Sequence, residues 1–228
     1  MKIFNTAQEA LAKVKSGDTI MVGGFGLIGA PLTLIDGLVE MNINELTIIS
    51  NNLGEQGKGL GILLQQKKVK RAIGSYFTSN RDVGDAMQLG ELTVELLPQG
   101  TLSESIRAGG AGIGGYYTKT AVGTELANGK EIKIIDGEQY VFEKALVADV
   151  SLIRARKADK LGNLVYYKTA QNFNPLMATA ARYVIAEVEE IVEVGELNPN
   201  EITTPHLFVD AIILAKRVLT KDGVKEVG

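Results

Sequence analysis

Hydrophobic and polar positions follow two different periods in the first half of the chain. Short apolar runs, typical of strands buried on both faces, occur at 19–22, 46–50, 70–75 and 92–97. Amphipathic segments with helical spacing lie between them and after the last, at 31–41, 60–66, 81–88 and 102–107, and Thr6-Ala7-Gln8-Glu9 forms a capping box for an earlier helix. This alternation predicts an α/β fold, with a mostly parallel sheet and helices on both of its faces.

The second half of the chain interrupts this pattern and then resumes it. After the glycine-rich stretch 109–115, Asp136-Gly137 separates two strand-like segments, 131–135 and 139–142, and predicts a small antiparallel hairpin element. Strand-like runs return at 147–153, 183–188 and 208–214, with a helix over 177–181. Length and the lack of a linker predict one domain over residues 1–228, in which the charged tail from about 216 to 228 frays.

Composition refines this picture mainly by exclusion. The 228 residues are 45% apolar and 22% charged with a net charge of −3, which is ordinary for a globular protein and gives no nucleic-acid footprint. The absence of cysteine excludes disulfides, thiolate zinc sites and cysteine catalysis, and the one histidine, His206, is expected in an exposed loop. No metal-ligand spacing is present. Without a secretory signal, we expect a cytoplasmic protein that does not enter membranes.

The first predicted strand leads into the most distinctive segment, Gly23-Gly24-Phe25-Gly26-Leu27-Ile28-Gly29-Ala30-Pro31. Glycines let a ligand approach the backbone, and a helix with Pro31 at its first position would offer free N–H groups to a phosphate or carboxylate. Gly24 to Gly29 also fit the dinucleotide pattern G-x-G-x-x-G. The next strand, however, ends in Asn51-Asn52 rather than in an acidic residue, and the pattern recurs at 110–115. A ligand loop and a purely structural turn both remain open.

The carboxyl ends of parallel strands form one rim, where α/β proteins bind ligands. The predicted rim is rich in amides and hydroxyls but offers no nucleophile beside a base. Gln99, between Pro98 and Gly100, could direct an amide donor at a developing oxyanion, or could be an ordinary turn glutamine. Glu55 could reach the cleft but lacks an activating neighbour. This incompleteness suggests that a second chain completes the site.

Five ordered motifs give the chain a strong family resemblance. It resembles the alpha subunit of the family I CoA-transferases, over residues 18–213. Gly17 to Pro31 matches the alpha-subunit signature, except that Ser16 stands where the signature begins with an acidic residue or asparagine. The other motifs are Leu97-Pro98-Gln99-Gly100-Thr101-Leu102, Ile106-Arg107-Ala108-Gly109-Gly110-Ala111-Gly112, Asp159-Lys160-Leu161-Gly162-Asn163-Leu164 and Asn172-Phe173-Asn174-Pro175.

The resemblance implies covalent catalysis by a carboxylate. In this family a glutamate of the partner beta subunit, in a Ser-Glu-Asn-Gly motif absent from this chain, forms an acyl anhydride and then a glutamyl-CoA thioester. Gln99 corresponds to the glutamine that stabilises the oxyanion. The segment assigned to CoA corresponds to Gly23, Gly24, Phe25, Gly26, Leu27, Ile28 and Gly29. CoA and acyl-CoA would then be substrates, with no tightly bound cofactor, and the assembly would be a heterodimer or an α2β2 heterotetramer.

The acyl group is less sharply indicated. Residues 112–120, with Gly114 where succinyl-type relatives tend to have proline, resemble the acetate/butyrate–acetoacetate enzymes. We therefore expect acetate, butyrate or acetoacetate as acceptor. The alpha subunit of a succinyl-CoA:3-oxoacid CoA-transferase is the alternative, followed by a non-catalytic module that binds CoA or a nucleotide.

Overall fold

Local chemistry sets the helix and strand boundaries in the first half of the chain. The computed structural model describes residues 2–220 and 223–226. The predicted capping box opens the first helix, where the Thr6 side chain accepts the N–H of Glu9. The elements are α1 (Ala7–Ala10), β1 (Thr19–Val22), α2 (Leu32–Glu40), β2 (Leu46–Ile49), α3 (Leu60–Gln65), β3 (Val69–Gly74), α4 (Arg81–Gln88), β4 (Thr93–Leu96) and α5 (Gln99–Gly110).

The second half contains the remaining strands and one more α-helix. These elements are β5 (Gly115–Thr118), β6 (Ile132–Ile135), β7 (Glu138–Lys144), β8 (Ala148–Asp159), β9 (Leu164–Val165), α6 (Asn174–Thr179), β10 (Ala181–Val192), β11 (Ala211–Leu214), β12 (Arg217–Thr220) and β13 (Gly223–Glu226). The hairpin predicted around Asp136-Gly137 is β6–β7, and β5 pairs with the other side of β7. In the tail expected to fray, β12 and β13 are paired with each other. Tail positions 221, 222, 227 and 228 lie outside the described residues.

Seven parallel strands form the main sheet in the order β11-β10-β8-β1-β2-β3-β4, and β9 pairs antiparallel with the end of β8. The mostly parallel sheet is therefore confirmed. From β1 the chain proceeds outward through β2, β3 and β4, whereas from β8 it proceeds in the opposite direction through β10 to β11. Ligands of open α/β sheets bind outside the carboxyl ends of the strands at such a reversal. The topology therefore predicts ligand binding near the carboxyl ends of β1 and β8.

Two apolar layers cover the sheet. Ile20 and Val22 pack with residues of α1 to α4 on one face, whereas Met21 packs with residues of α5 and α6 on the other. Burial of both faces explains the apolar runs in the sequence and confirms the prediction of helices on both sides.

The two central strands β8 and β10 are much longer than the sequence predicted. They stay in register from Ala148 and Ala181 to Asp159 and Val192. Because β1 pairs with β8 only as far as Leu152, the last seven residues of β8 extend about 23 Å beyond the rim. The charged segment 154–157, which we expected to follow the strand, lies inside it because Arg154 and Lys157 pair with glutamates of β10.

The two outer strands of the sheet are unlike. Residues 2–4 lie beside β11 in parallel orientation, where the Ile212 N–H donates to the Lys2 carbonyl (2.7 Å) and the Phe4 N–H to the Ile212 carbonyl (2.9 Å). At the opposite side, β4 pairs with β3 alone. Across residues 2–220 and 223–226, no helix combines the length and apolarity needed to span a membrane.

Candidate active site

The segment that follows β1, residues 23–30, forms a tight hairpin, here called the glycine loop. Phe25 and Ile28 exchange N–H···O bonds of 2.9 and 3.1 Å across the turn residues Gly26 and Leu27. Gly26 has a φ of +60° at the first turn position, as in type II′ turns. Gly24 and Gly29 also have positive φ, so side chains would strain the backbone at both ends of the hairpin.

Two asparagines hold this loop, Asn172 just before α6 and Asn174 at the first position of that helix. The Asn172 Oδ1 accepts the Gly24 N–H (3.0 Å), and its Nδ2 donates to the Ile28 carbonyl (2.9 Å). The Asn174 Nδ2 donates to the Gly29 carbonyl (3.1 Å) while its Oδ1 accepts the Arg154 N–H (2.8 Å). We call this pair the asparagine brace. It fixes both ends of the hairpin, and through Asn174 it connects the loop to Arg154 of β8, just beyond the last β1–β8 pair.

Gly23 is required for this arrangement by packing rather than by its φ. A Cβ built on Gly23 would lie 1.8 Å from the Asn174 Oδ1, far inside van der Waals contact. At Gly29 the added Cβ would meet the Ala170 carbonyl oxygen at 2.4 Å. These glycines therefore allow the brace to approach the loop backbone closely. The motif 172–175 is recognisable in the sequence, but no local pattern there predicts that its asparagines hold a loop nearly 150 residues away.

The N-terminus of α2 differs from the expected open anion site. Pro31 is the residue that precedes the helix rather than its first helical residue, with φ −79° and ψ 76°. The Leu34 N–H in the first turn is bonded to the Glu187 Oε2 (3.1 Å), a carboxylate of β10 with no exposed surface. The carboxylate of Glu187 therefore occupies part of the helix N-terminus that the sequence predicted as a site for an anionic ligand.

Glu187 is part of a buried ionic network. The Arg154 guanidinium bonds to Glu187, to Glu189 (2.9 Å) and to the Arg217 carbonyl (3.2 Å). Burial raises the pKa of Glu187 to about 7, outweighing the attraction of Arg154 and the donated backbone N–H groups, which lower it. A single acidic residue within the apolar run 184–188 was the available sequence signal for this network.

Gln99 lies at the same rim as the glycine loop but not beside it. It is the first residue of α5, preceded by Pro98, and its side chain is exposed and has no hydrogen-bonding partner in the described part of the chain. Because β2 and β3 separate β1 from β4, about three strand spacings, or ~14 Å, separate the two features along the rim.

Polar groups line the rim between these two features. The Asn51 carbonyl accepts the N–H groups of Ser75 and Tyr76 (both 3.0 Å), and its Nδ2 donates to the Ser75 Oγ (3.0 Å). Glu55 is half-exposed and ion-paired with Lys58, and it has no neighbouring base. His206 is exposed, as expected. Among these described rim residues, donors for an anionic ligand are present, whereas an activated nucleophile is absent.

Comparisons with known proteins identify the family to which the chain belongs. Residues 4–215 match the model of the family described as Coenzyme A transferase. The alpha subunit of the succinyl-CoA:3-ketoacid coenzyme A transferase of Helicobacter pylori (strain J99) is 51% identical over 92% of this chain and 91% of that protein. Its probable counterpart of the same name in Bacillus subtilis (strain 168) is 48% identical over 93% of this chain and 90% of that protein.

A solved structure extends the agreement to the fold. The acyl-CoA transferase from E. coli O157:H7, described as a thioester complex with CoA, superposes with a TM-score of 0.82 at 22% identity. The match covers 93% of this chain but 47% of that one, so this chain spans about half of its length. From the family match over nearly its whole length and from relatives at about half identity, the chain belongs to the coenzyme A transferase family.

Proposed function

We propose that this chain is the alpha subunit of a CoA-transferase whose attacking glutamate is supplied by a partner beta subunit. Family membership makes the chain part of an enzyme that transfers CoA. The observation that carries the division of labour is the composition of the rim: its described residues include an unbonded amide at Gln99 and a braced glycine loop, but no carboxylate activated by a neighbouring base. The curated relatives are named as one subunit of such an enzyme rather than as the whole enzyme, which supports the same division.

In this proposal, Gln99 and the glycine loop each contribute to a different part of the reaction. When the partner's glutamate attacks the thioester carbonyl, negative charge develops on the carbonyl oxygen, and a fixed amide donor such as Gln99 stabilises it. The glycine loop supplies a backbone surface that CoA can approach closely. The departing CoA thiolate then returns to the anhydride to form the glutamyl-CoA thioester and free the donor acid, and an acceptor acid reverses both steps.

For the substrates, we propose succinyl-CoA as donor and a 3-ketoacid such as acetoacetate as acceptor, following the names of the relatives. The segment 112–120 favoured acetate or butyrate, and within it Gly114 lies beyond the C-terminal end of α5, whereas Gln99 begins that helix. The 12 residues of α5 span about 18 Å, so Gly114 is remote from the rim. Transfer to acetate or butyrate is therefore the second candidate.

Reconstitution tests the division of labour. The purified chain alone should give no CoA exchange, and activity should arise on addition of a beta subunit carrying Ser-Glu-Asn-Gly, in a heterodimer or heterotetramer whose mass is measured directly. Succinyl-CoA with acetoacetate should give a higher kcat/KM than acetyl-CoA with butyrate. Exchange by the isolated chain would contradict the proposal, and the reverse substrate order would favour the second candidate.

The role of Gln99 needs a separate variant. Gln99→Ala in the complex should lower kcat by roughly a hundredfold, the cost of losing one oxyanion donor. Since the side chain is exposed and unbonded within the described residues, the free energy of unfolding should not change. Gln99→Glu, which keeps the size but removes the N–H donors, should be equally impaired. Unchanged turnover in both variants would remove Gln99 from the mechanism.

A further inference from the structure

A cation–aromatic cluster lies on the part of β8 that extends beyond the rim. The guanidinium carbon of Arg156 is 4.3 Å from the centroid of the Tyr167 ring, and the Lys168 Nζ is 5.0 Å from the same centroid. The two positive charges are thus no farther apart than the sum of these distances. A guanidinium held over a ring face is attracted to the ring, and its N–H groups can still donate to an anion.

This cluster differs from the other cations of the same strand pair. Arg154 and Lys157 each form an ion pair with a glutamate of β10, and Lys160 forms one with the glutamate that directly follows β10. Arg156 and Lys168 are exposed and make no ion pair or hydrogen bond within residues 2–220 and 223–226. Two unpaired cations held around one ring favour an anion that accepts several hydrogen bonds at once.

The cluster also adjoins the glycine loop. A cavity of about 140 Å³ lies between them, with Ile28 and Gly29 on one side and Arg156 and Tyr167 on the other. Glu189 also lines this cavity, but its carboxylate is engaged by Arg154. A ligand that leaves the glycine loop in this direction therefore meets the positive cluster next.

We propose that Arg156, Tyr167 and Lys168 bind a phosphate of the nucleotide end of CoA while the glycine loop holds the part nearer the thioester. This inference rests on the proposed function and assigns it a subsite. A phosphate offers several acceptor oxygens and matches the planar fork of arginine. Recognition at this subsite tightens binding of substrate and transition state alike, so it lowers KM without changing kcat.

The test compares thioesters that differ at the nucleotide end, using the complex with the beta subunit. In Arg156→Ala/Lys168→Ala, KM for succinyl-CoA should rise by about tenfold to a hundredfold, or roughly tenfold per lost charge, with kcat within twofold. KM for succinyl-pantetheine, which lacks the phosphates, should not change. Succinyl-3′-dephospho-CoA shows which phosphate is bound. If the cluster binds the 3′-phosphate, the variant and the wild type should bind this thioester equally; if it binds another phosphate of CoA, the variant should still bind it more weakly. Lys160→Ala, which removes a paired cation, is the matched control.

Direct binding separates this inference from the proposed function. Calorimetry measures the affinity of the wild-type complex for CoA and for pantetheine, whether or not exchange occurs. CoA should bind more tightly than pantetheine, and this preference should decrease as the salt concentration rises. Loss of that preference in the double variant supports the subsite. Equal KM changes for both thioesters, no change for either, or weakened binding of the beta subunit with KM unchanged would overturn it, the last by assigning the cluster to a protein contact.

Discussion

The loops that follow β1 and β2 share a backbone design but differ in their surroundings. The glycine loop and residues 54–59, here called the second loop, each contain a four-residue hairpin that is followed by a glycine with positive φ. In the second loop, Glu55 and Lys58 exchange N–H···O bonds of 3.3 and 2.9 Å, and Gly57 takes the positive φ at the second turn position. In the glycine loop the positive φ falls at the first turn position, on Gly26.

The side chains separate the two loops. Phe25 and Ile28 at the glycine loop are each 46% exposed, whereas the second loop has an exposed Glu55–Lys58 ion pair. The glycine loop is fixed by asparagines more than 140 residues away along the chain, whereas the second loop begins at Gly54, whose N–H is bound by the nearby Asn52. Glycines therefore specify the shape of both loops, while long-range bracing and exposed apolar residues distinguish the loop proposed for CoA.

Adding one methyl group to each loop should give the largest difference between them, in the free energy of unfolding. Gly23→Ala should lower the free energy of unfolding by about 2–3 kcal/mol, because its Cβ would collide with the Asn174 Oδ1. The Cβ added by Gly57→Ala meets no atom of the described residues within 4 Å, and the change should cost only about 1 kcal/mol, from its φ of +69°. Denaturant unfolding measures both. Gly23→Ala/Asn174→Ala should lose less than the sum of the single changes; strict additivity would contradict the collision.

The helices after the two loops should respond differently to pH. The first turn of α2 is bonded to Glu187, whereas α3 has no side-chain cap. Because the pKa of Glu187 is raised from 4.5 to about 7 on folding, its contribution to stability is complete below about pH 4.5 and is lost as the pH rises to about 7. Glu187→Gln should remove this dependence, so its stability relative to wild type should rise across that interval and then level off.

Unfolding titrations of both proteins from pH 4 to pH 8 measure this difference directly. A relative stability of the variant that falls over the same interval would mean that Arg154 keeps Glu187 ionised throughout, contrary to the expected direction. Asp159, whose pKa is lowered by hydrogen bonds from Asn163 and its neighbours despite burial, is present in both proteins and cancels from the comparison.

Removing one asparagine beside each loop should separate turnover from stability. Asn172→Ala frees the Gly24 N–H and the Ile28 carbonyl and should lower turnover by about tenfold, with a stability loss of about 1–2 kcal/mol. Asn80→Ala frees the Leu53 carbonyl before the second loop and also the Asp82 N–H that Asn80 caps at the start of α4, so it should cost similar stability but leave turnover within twofold. Equal kinetic effects would show that both loops serve the reaction.

The exposed ion pair of the second loop should have the smallest effect. The side chains of Lys58 and Glu55 are more than 40% exposed, so solvent and salt screen their attraction. Lys58→Ala should change the free energy of unfolding by less than about 0.5 kcal/mol, measured by denaturant unfolding. A loss above about 1 kcal/mol would assign the pair a structural role that its exposure does not support.

The sequence predicted the alternation of strands and helices because burial on both faces leaves apolar runs that can be read locally. It also predicted the antiparallel element, since Asp136-Gly137 is a short-range turn signal, and it identified the glycine loop and Gln99 as rim features. Their proposed roles in binding and catalysis remain predictions.

Long-range pairing accounts for what the sequence did not predict. The predicted strand 147–153 ends before Arg154, whereas in the structure Arg154 pairs with Glu187, 33 residues later, and β8 continues. The asparagine brace and the carboxylate at α2 likewise depend on contacts between segments about 150 residues apart. No local period encodes such contacts, so they emerge only when the chain is folded.

Residues 2–4 have a consequence for β11, the outer strand at one side of the sheet. An uncovered outer strand offers a row of unpaired N–H and C=O groups on which another chain can build. By bonding to Ile212, Lys2 and Phe4 occupy part of that row along β11. Deleting these residues would free the strand for intermolecular pairing, and self-association would grow with protein concentration.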